Sequence, residues 1–225
     1  QTCALPIFWD FRTNSKIALE IIYDRYGLSE YYPLFDEYYR VYSEKNTELW
    51  SLYHHNRISK EALIVERFRY PLQRVGAYND KLVLQLNADY LSVLSEQGEL
   101  VPQARELLDY LKSRSYRLHI ISNGFKEVQF KKMKSAGIEN YFEKIILSDE
   151  VGVNKPHPDI FRYALNKTGS SKNTSLMIGD NYDADILGAM RSGLDQVYFN
   201  PLQKQISDEF PTYEVQTLSE ICDIL

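Results

Sequence analysis

Three short segments of this sequence carry side chains that could act together on a phosphate group. The first is Ser122-Asn123-Gly124, which follows the apolar run 117–122. The second is Lys155, placed between an asparagine and a proline, and the third is the acidic loop 179–185 with Asp180 and Asp185. A hydroxyl and the free N–H groups of a following helix bind oxyanions. Carboxylates are the ligands that a hard cation such as Mg²⁺ prefers.

Each of these segments also has an ordinary structural explanation. Ser-Asn-Gly is a common turn sequence, a loop lysine is usually solvated, and aspartates at helix starts act as caps. The functional interpretation depends on their order and on their placement after successive predicted strands. No Ser-His-Asp or Cys-His combination is visible, and Cys222 lies on an apolar helix face, which predicts a core position.

The elements that must position these residues follow Gly98. Short apolar runs predict strands, and the segments between them have helical spacing. The predicted strands are 117–122, 144–147, 175–178 and 196–199, and the predicted helices are 102–114, 126–135, 158–167, 184–191 and 218–225. Strands that alternate with helices predict an α/β fold with a doubly wound parallel sheet. In such sheets ligands bind beyond the carboxyl ends of the strands, where all three segments fall.

Residues 15–97 have a different pattern. Apolar residues recur at three- and four-residue spacing in segments 34–42, 47–53, 60–72 and 80–94, which predicts helices without strands. Ser59 and Asn79 are predicted N-caps of the last two. The stretch therefore predicts a small helical bundle of about 80 residues.

The composition excludes several classes of protein. Of the 225 residues, 44% are hydrophobic and 25% are charged, as expected for a globular protein that buries a core. No apolar run approaches the roughly 18 residues of a membrane span. The net charge of −5 and the lack of a basic block argue against binding to nucleic acid. Two cysteines, Cys3 and Cys222, exclude a disulfide framework and favour a reducing, cytoplasmic location.

The order Ser122, Lys155, Asp180 resembles motifs two, three and four of the haloacid dehalogenase-like (HAD) hydrolases. Segments 120–129 (IISNGFKEVQ), 149–161 (DEVGVNKPHPDIF) and 178–189 (IGDNYDADILGA) resemble the pyrimidine 5′-nucleotidase branch in particular. Residues 9–15 (WDFRTNS) match those that follow motif one in that branch. The resemblance implies a HAD-like Rossmannoid core formed by residues 1–14 and 98–225, with residues 15–97 as an inserted helical cap domain.

The resemblance also implies an activity and the residues that perform it. The activity is Mg²⁺-dependent hydrolysis of phosphate monoesters, such as dUMP or dTMP, through an aspartyl-phosphate. Ser122 and the backbone N–H groups of Asn123 and Gly124 would bind phosphoryl oxygens, and Lys155 would neutralise charge on nucleophile and phosphate. Asp180 would ligate Mg²⁺ with support from Asp185, whereas Asp149 and Asp183 would not. The cap would exclude water and select the leaving group, and the enzyme would be a monomer or homodimer.

The sequence departs from the family at motif one, Asp-x-Asp-x-Thr. In register, Cys3 and Leu5 stand where the nucleophile and the general acid/base are expected. Residues 1–7 (QTCALPI) also match the translation of a common sequencing adapter, CAG ACG TGT GCT CTT CCG ATC. We therefore expect an artefactual start and natural sequence from near Phe8, so that the recorded chain is inactive. We also expect Ala4–Phe8 to form a short or irregular strand in the centre of the sheet, with Cys3 and Leu5 near Lys155 and Asp180.

Three alternatives remain from the sequence. A sugar-phosphate or phosphoglycolate phosphatase of the same superfamily would share every core residue. A dehalogenase would not need Mg²⁺, and the Asp180/Asp185 pair argues against it. A non-catalytic binding module that has lost motif one is the alternative outside enzymes.

Overall fold

The computed structural model describes residues 2–3, 7–206 and 209–225, with the backbone alone at residues 2, 3 and 127. The chain divides into two compact units. One unit comprises residues 1–10 and 98–225, and the other comprises Phe11–Gln97.

The second unit is helical throughout its described elements. Its four α-helices are α1 (Phe11–Arg25), α2 (Phe35–His54), α3 (Lys60–Arg74) and α4 (Asp80–Glu96), with a 3₁₀ turn at Leu28–Glu30. The predicted N-caps are confirmed, since Ser59 Oγ accepts from the Ala62 N–H at 3.2 Å and Asn79 Oδ1 from the Leu82 N–H at 3.1 Å.

Helix α2 differs from the prediction of two separate segments, 34–42 and 47–53. It is one helix of 20 residues, unbroken between them. The apolar pattern is interrupted because Asn46, a polar residue, occupies a buried position on the inward face. The backbone nevertheless continues as a helix, since hydrogen bonding along the chain does not require an apolar side chain at every inward position. Helix α1 begins at Phe11, four residues before the expected start of the cap at Ser15.

The first unit is a parallel sheet with helices, as the sequence predicts. Its strands are β1 (Thr2–Cys3), β2 (Leu118–Ser122), β3 (Phe142–Leu147), β4 (Leu176–Gly179), β5 (Asp195–Phe199) and β6 (Tyr213–Val215). Its α-helices are α5 (Ala104–Ser113), α6 (Lys126–Ser135), α7 (Ser148–Val151), α8 (Pro158–Thr168), α9 (Gly188–Arg191) and α10 (Glu220–Ile224). A π-helical segment, Tyr182–Leu187, precedes α9, and 3₁₀ turns lie at Glu139–Tyr141 and Lys172–Thr174.

The strand order is β3-β2-β1-β4-β5-β6, and every neighbouring pair is parallel. The order reverses direction at β1, which makes the sheet doubly wound and puts its switch point beside β1. Strands β2 and β4 are buried along their whole length. The apolar runs of the sequence therefore form the middle of the sheet, and the polar residues that follow them lie at its carboxyl edge.

Two elements and one side chain differ from the sequence predictions. Strand β6 was not predicted, because a three-residue segment, Tyr-Glu-Val, is too short to show alternation. The four-residue helix α7 was also missed. Cys222, predicted in the core, is half-buried, and its backbone carbonyl accepts from the Tyr110 hydroxyl at 3.1 Å. No helix among the described residues is long and apolar enough to span a bilayer.

His119 is a buried polar residue in the middle of the sheet. It is 1% exposed, and neither ring nitrogen has a hydrogen-bond partner in the described part of the chain. Burial lowers its pKa from 6.5 to about 4, and the nearby charges of Arg117 and Lys144 act in the same direction while Glu143 opposes them. The imidazole is therefore neutral in the folded protein near neutral pH.

We predict that His119 makes the fold sensitive to acid. Because its folded pKa lies below the unfolded value, the unfolded chain binds the proton more readily between pH 6.5 and 4. The contribution is fully present above pH 6.5 and is lost as the pH falls through about 4. Urea unfolding of the unaltered chain and His119→Leu from pH 7.5 to 4 measures it. The substitution should flatten the pH dependence, His55→Gln at an exposed site should not, and parallel curves for all three would contradict the prediction.

Candidate active site

Ser122 ends β2 at the carboxyl edge of the sheet and is 5% exposed. Its Oγ accepts two hydrogen bonds, one from the Gly124 N–H at 3.0 Å and one from the Gln129 side-chain Nε2 at 3.1 Å. Gly124 is needed for this arrangement, since a Cβ on it would lie 1.5 Å from Gln129 Nε2. The turn after β2 and the first turns of α6 thus close around the Ser122 hydroxyl.

Asn123 joins the turn after β2 to the loop that carries Lys155. Its side-chain Nδ2 donates to the Lys155 carbonyl at 2.9 Å, and its Oδ1 accepts from the Lys155 N–H at 2.8 Å. Both bonds are buried, so one asparagine satisfies both backbone groups of one residue. The Lys155–Pro156 peptide in this loop is cis.

The Lys155 ammonium group lies inside the unit, with the residue 4% exposed. It donates to the Ile121 carbonyl at 2.8 Å and to Asp185 Oδ1 at 2.5 Å. An ammonium group has three N–H donors, and within the described residues two acceptors are assigned to it. The third donor is the one that a bound anion could use.

Asp185 is held in place by Asn181 at the start of its own helical segment and by its close approach to Gly179 of β4. The carboxylate Oδ2 accepts from the Asn181 N–H at 3.1 Å, and Asn181 caps the same segment through the Ala184 N–H at 2.9 Å. A Cβ on Gly179 would lie 2.3 Å from the Asp185 Cβ, so only glycine permits this approach. Both Asp185 oxygens are thus engaged by Asn181 and Lys155. The expected support of a metal by Asp185 stays a prediction, and within the described residues its carboxylate pairs with Lys155.

Asp180 directly follows β4 and is half-buried. Burial and the negative charge of Asp185 raise its pKa above the usual range, against the opposing charge of Lys155. A cation bound beside Asp180 would offset the negative charge of the second carboxylate and would favour the ionised form of Asp180. Asp149 and Asp183, by contrast, are exposed.

The fit of a magnesium ion to this site depends on how many carboxylates converge there. No group of three or more His, Cys, Asp or Glu side chains converges within the described part of the chain. Mg²⁺ in phosphate-processing sites is commonly held by one or two carboxylates together with phosphate oxygens and water. The Asp180 carboxylate fits that pattern as a single protein donor.

The first strand lies between β2 and β4, the central position expected for it, but it is found at Thr2–Cys3. Of the expected strand Ala4–Phe8, residues 4–6 lie outside the described part of the chain, and Ile7 and Phe8 are not in a strand. Cys3 is level with Ile120 on one side and Ile178 on the other, each two residues before Ser122 and Asp180. The strand is short, with two residues. The side chain of Cys3 and all of Leu5 lie outside the described residues, so their expected proximity to Lys155 and Asp180 stays a prediction.

The structure brings four of the predicted site residues into one hydrogen-bonded and electrostatic cluster: Asn123, Lys155, Asp180 and Asp185. Ser122 ends the strand that supplies the Ile121 carbonyl to Lys155. The Gly124 N–H, expected to bind phosphate, donates instead to Ser122 Oγ. Gln129 was not assigned a role from the sequence, although an amide one turn into the helix that follows a Ser-Asn-Gly loop was a usable signal.

The comparisons with known proteins agree with this geometry. Residues 45–199 match the family model described as haloacid dehalogenase-like hydrolase. The solved structure of YfnB from Bacillus subtilis, a HAD-hydrolase crystallised with magnesium, superposes with a TM-score of 0.89 at 27% identity and covers 99% of this chain and 96% of that one.

Two curated relatives have named activities. The pyrimidine 5′-nucleotidase PynA of Streptococcus pneumoniae is 29% identical over 219 residues, which is 96% of this chain and 90% of PynA. The glyceraldehyde 3-phosphate phosphatase of Pyrococcus abyssi is 38% identical over 133 residues, 59% of this chain and 56% of that protein. With motifs two to four in place at the edge of a doubly wound sheet and a family match over most of its length, the chain belongs to the haloacid dehalogenase-like hydrolases.

Proposed function

We propose that this protein is a Mg²⁺-dependent phosphomonoester hydrolase whose substrates are pyrimidine nucleoside monophosphates. The observation that carries the proposal is that Ser122 and Asp180 follow the two strands that flank β1, while the buried Lys155 ammonium group donates to the Ile121 carbonyl beside Ser122. A phosphoryl group needs donors for its oxygens and a cation for its charge, and it needs them already in position. This cluster offers both in one place.

Each residue has a stated role in the proposal. The Ser122 hydroxyl and one Lys155 N–H donate to phosphoryl oxygens, while Asp185 and Asn123 hold the lysine in place. Asp180 would hold the magnesium ion, which when bound supplies further neutralisation of the phosphate charge. Ser122, Asn123 and Lys155 thus form the substrate-binding part of the site, with Asp185 acting through Lys155.

Attack on phosphorus requires a nucleophile, which the family takes from the first aspartate of motif one. That carboxylate displaces the nucleoside alkoxide, the second aspartate protonates it, and water then hydrolyses the aspartyl-phosphate. In the sequence alignment to the family motif, Cys3 and Leu5 stand at those two positions. The proposal therefore assigns the chain as printed a phosphate site without turnover.

The pyrimidine preference rests on residues 9–15 and on the match to PynA over nearly the whole chain. The second candidate, a sugar-phosphate phosphatase, is favoured by the higher identity to the Pyrococcus abyssi enzyme over a shorter stretch. The two candidates share the same cluster and differ in the leaving group that they accept.

The test is to supply motif one in register. The motif-one chain carries Cys3→Asp, Leu5→Asp, Pro6→Gly and Ile7→Thr, with Pro6 replaced because proline lacks an N–H. We expect it to release phosphate from dUMP in the presence of Mg²⁺ and to be inactive with EDTA. The control chain is identical except that position 3 is changed by Cys3→Asn, which removes the nucleophile.

Three outcomes would contradict parts of this proposal. Robust turnover by the unaltered chain would show that positions 3 and 5 are not the missing catalytic residues. Faster hydrolysis of ribose 5-phosphate or 2-phosphoglycolate than of dUMP would favour the second candidate. A folded motif-one chain that binds phosphate but hydrolyses no ester would favour a non-catalytic binding module.

A further inference from the structure

Gln129 is a buried amide in contact with the proposed phosphate site. It lies on α6, is 5% exposed, and donates from Nε2 to Ser122 Oγ at 3.1 Å. Its other amide atom, Oε1, is buried and has no hydrogen-bond partner in the described part of the chain. Leaving a buried amide oxygen unpaired is unfavourable, so this orientation of the side chain calls for an explanation.

The explanation follows from the hydrogen-bonding capacity of Ser122. A serine hydroxyl has one donor hydrogen and two acceptor lone pairs. Gly124 N–H and Gln129 Nε2 occupy both acceptor positions. The donor hydrogen remains, and the described residues assign no acceptor to it.

We propose that Gln129 is a positioning residue that, together with the Gly124 N–H, commits the Ser122 hydroxyl to donate to a phosphoryl oxygen. The inference rests on the proposed function and adds a residue to its site. If the amide were turned over, Oε1 would accept the serine proton and the hydroxyl would be lost to the phosphate. A bound anion therefore stabilises the orientation in which Nε2 faces Ser122.

Gly124 supports the same conclusion from packing. A Cβ at position 124 would lie 1.5 Å from Nε2 and 2.7 Å from the side-chain carbonyl carbon of Gln129, and 3.1 Å from Ser122 Oγ. Any larger residue must push the amide away from the serine. Glycine at this position thus allows the contact between Gln129 and Ser122.

The experiment measures binding of inorganic phosphate to the unaltered chain by isothermal titration calorimetry, which needs no turnover. Ser122→Ala removes the donor and should weaken binding by about tenfold. Gln129→Met keeps the bulk but removes the amide, and should weaken binding by about fivefold. In the Ser122→Ala background, Gln129→Met should have no further effect, because its only route to the phosphate is the hydroxyl.

Two further variants keep the test decisive if Gln129→Met folds poorly. Gln129→Glu offers acceptors alone and should weaken phosphate binding more than Gln129→Met does. Gly124→Ala should reproduce the effect of Gln129→Met and should not add to it in the double variant. Gln73→Met, an exposed position in the helical unit, is the matched control and should bind like the unaltered chain, and thermal melts identify any variant that is merely unfolded.

The outcomes separate the two proposals. One possible result is that Ser122→Ala weakens phosphate binding while Gln129→Met and Gly124→Ala leave it unchanged. That result would overturn the role of Gln129 and leave the proposed function standing. The role of Gln129 would also be overturned if the effects of Ser122→Ala and Gln129→Met on phosphate binding multiply in the double variant. Phosphate binding that depends on neither Ser122 nor Lys155 would contradict the proposed function and the inference together.

Discussion

Lys155→Ala should lower kcat of the motif-one chain on dUMP by about 10²–10³-fold, because a preorganised charge is lost where negative charge develops. The ammonium group is already oriented by the Ile121 carbonyl and by Asp185, so it needs no rearrangement when the substrate binds. Steady-state phosphate release at saturating Mg²⁺ measures the effect. Near-normal rates in a folded variant would remove Lys155 from the site.

The same substitution should also destabilise the fold, and this effect must be separated from the kinetic one. Lys155 and Asp185 form a buried ion pair, with side chains 5% and 3% exposed. Removing one partner of such a pair leaves an uncompensated charge and costs about 3–5 kcal/mol. Arg40→Ala, which breaks the exposed pair with Glu44, should change stability little.

A double variant distinguishes stability from catalysis. Lys155→Met with Asp185→Leu replaces both charges by apolar groups and should recover much of the lost stability, since apolar replacements of buried pairs are commonly tolerated. It should recover none of the activity. Recovery of turnover in this variant would show that Lys155 acts on the fold and not on the phosphate.

Asp180→Asn should raise the Mg²⁺ concentration needed for half-maximal activity of the motif-one chain by more than about 100-fold. Changing a residue that only supports a metal ligand weakens metal binding by up to about 100-fold, and loss of the ligand itself should cost more. The reason is that Asp180 is the one carboxylate of the cluster that is not engaged by Lys155. The amide keeps the shape of the side chain and loses its charge. Titration of activity with Mg²⁺ at fixed dUMP measures the change.

The matched controls for this prediction are Asp183→Asn and Asp149→Asn. Both residues are exposed, and neither should alter the metal requirement. An unchanged requirement in Asp180→Asn, or a raised one in Asp183→Asn, would contradict the assignment. Asp185→Asn should instead lower kcat through Lys155 while leaving the half-maximal Mg²⁺ concentration nearly the same.

The sequence by itself determined the architecture and the identity of most of the site. The alternation of short apolar runs with helical segments after Gly98 predicts a parallel sheet, because each run must be buried on both faces. The same rule places Ser122, Lys155 and Asp180 at one edge, since the carboxyl ends of parallel strands share an edge. The resemblance to the family also predicts a central first strand, and the pairing of Cys3 with Ile120 and Ile178 confirms that position, although the strand was expected at Ala4–Phe8.

The tertiary structure alone decided which polar atoms pair with which. Spacing along the chain cannot show that Asp185 reaches Lys155, because those residues are 30 positions apart and meet only after the sheet has formed. The Gly124 N–H and the Gln129 amide both donate to Ser122 Oγ. These two hydrogen bonds depend on how α6 packs against the end of β2. Hydrophobic patterning specifies which faces are buried, but a hydrogen bond depends on distances of a few tenths of an ångström, and only the packed structure sets those distances.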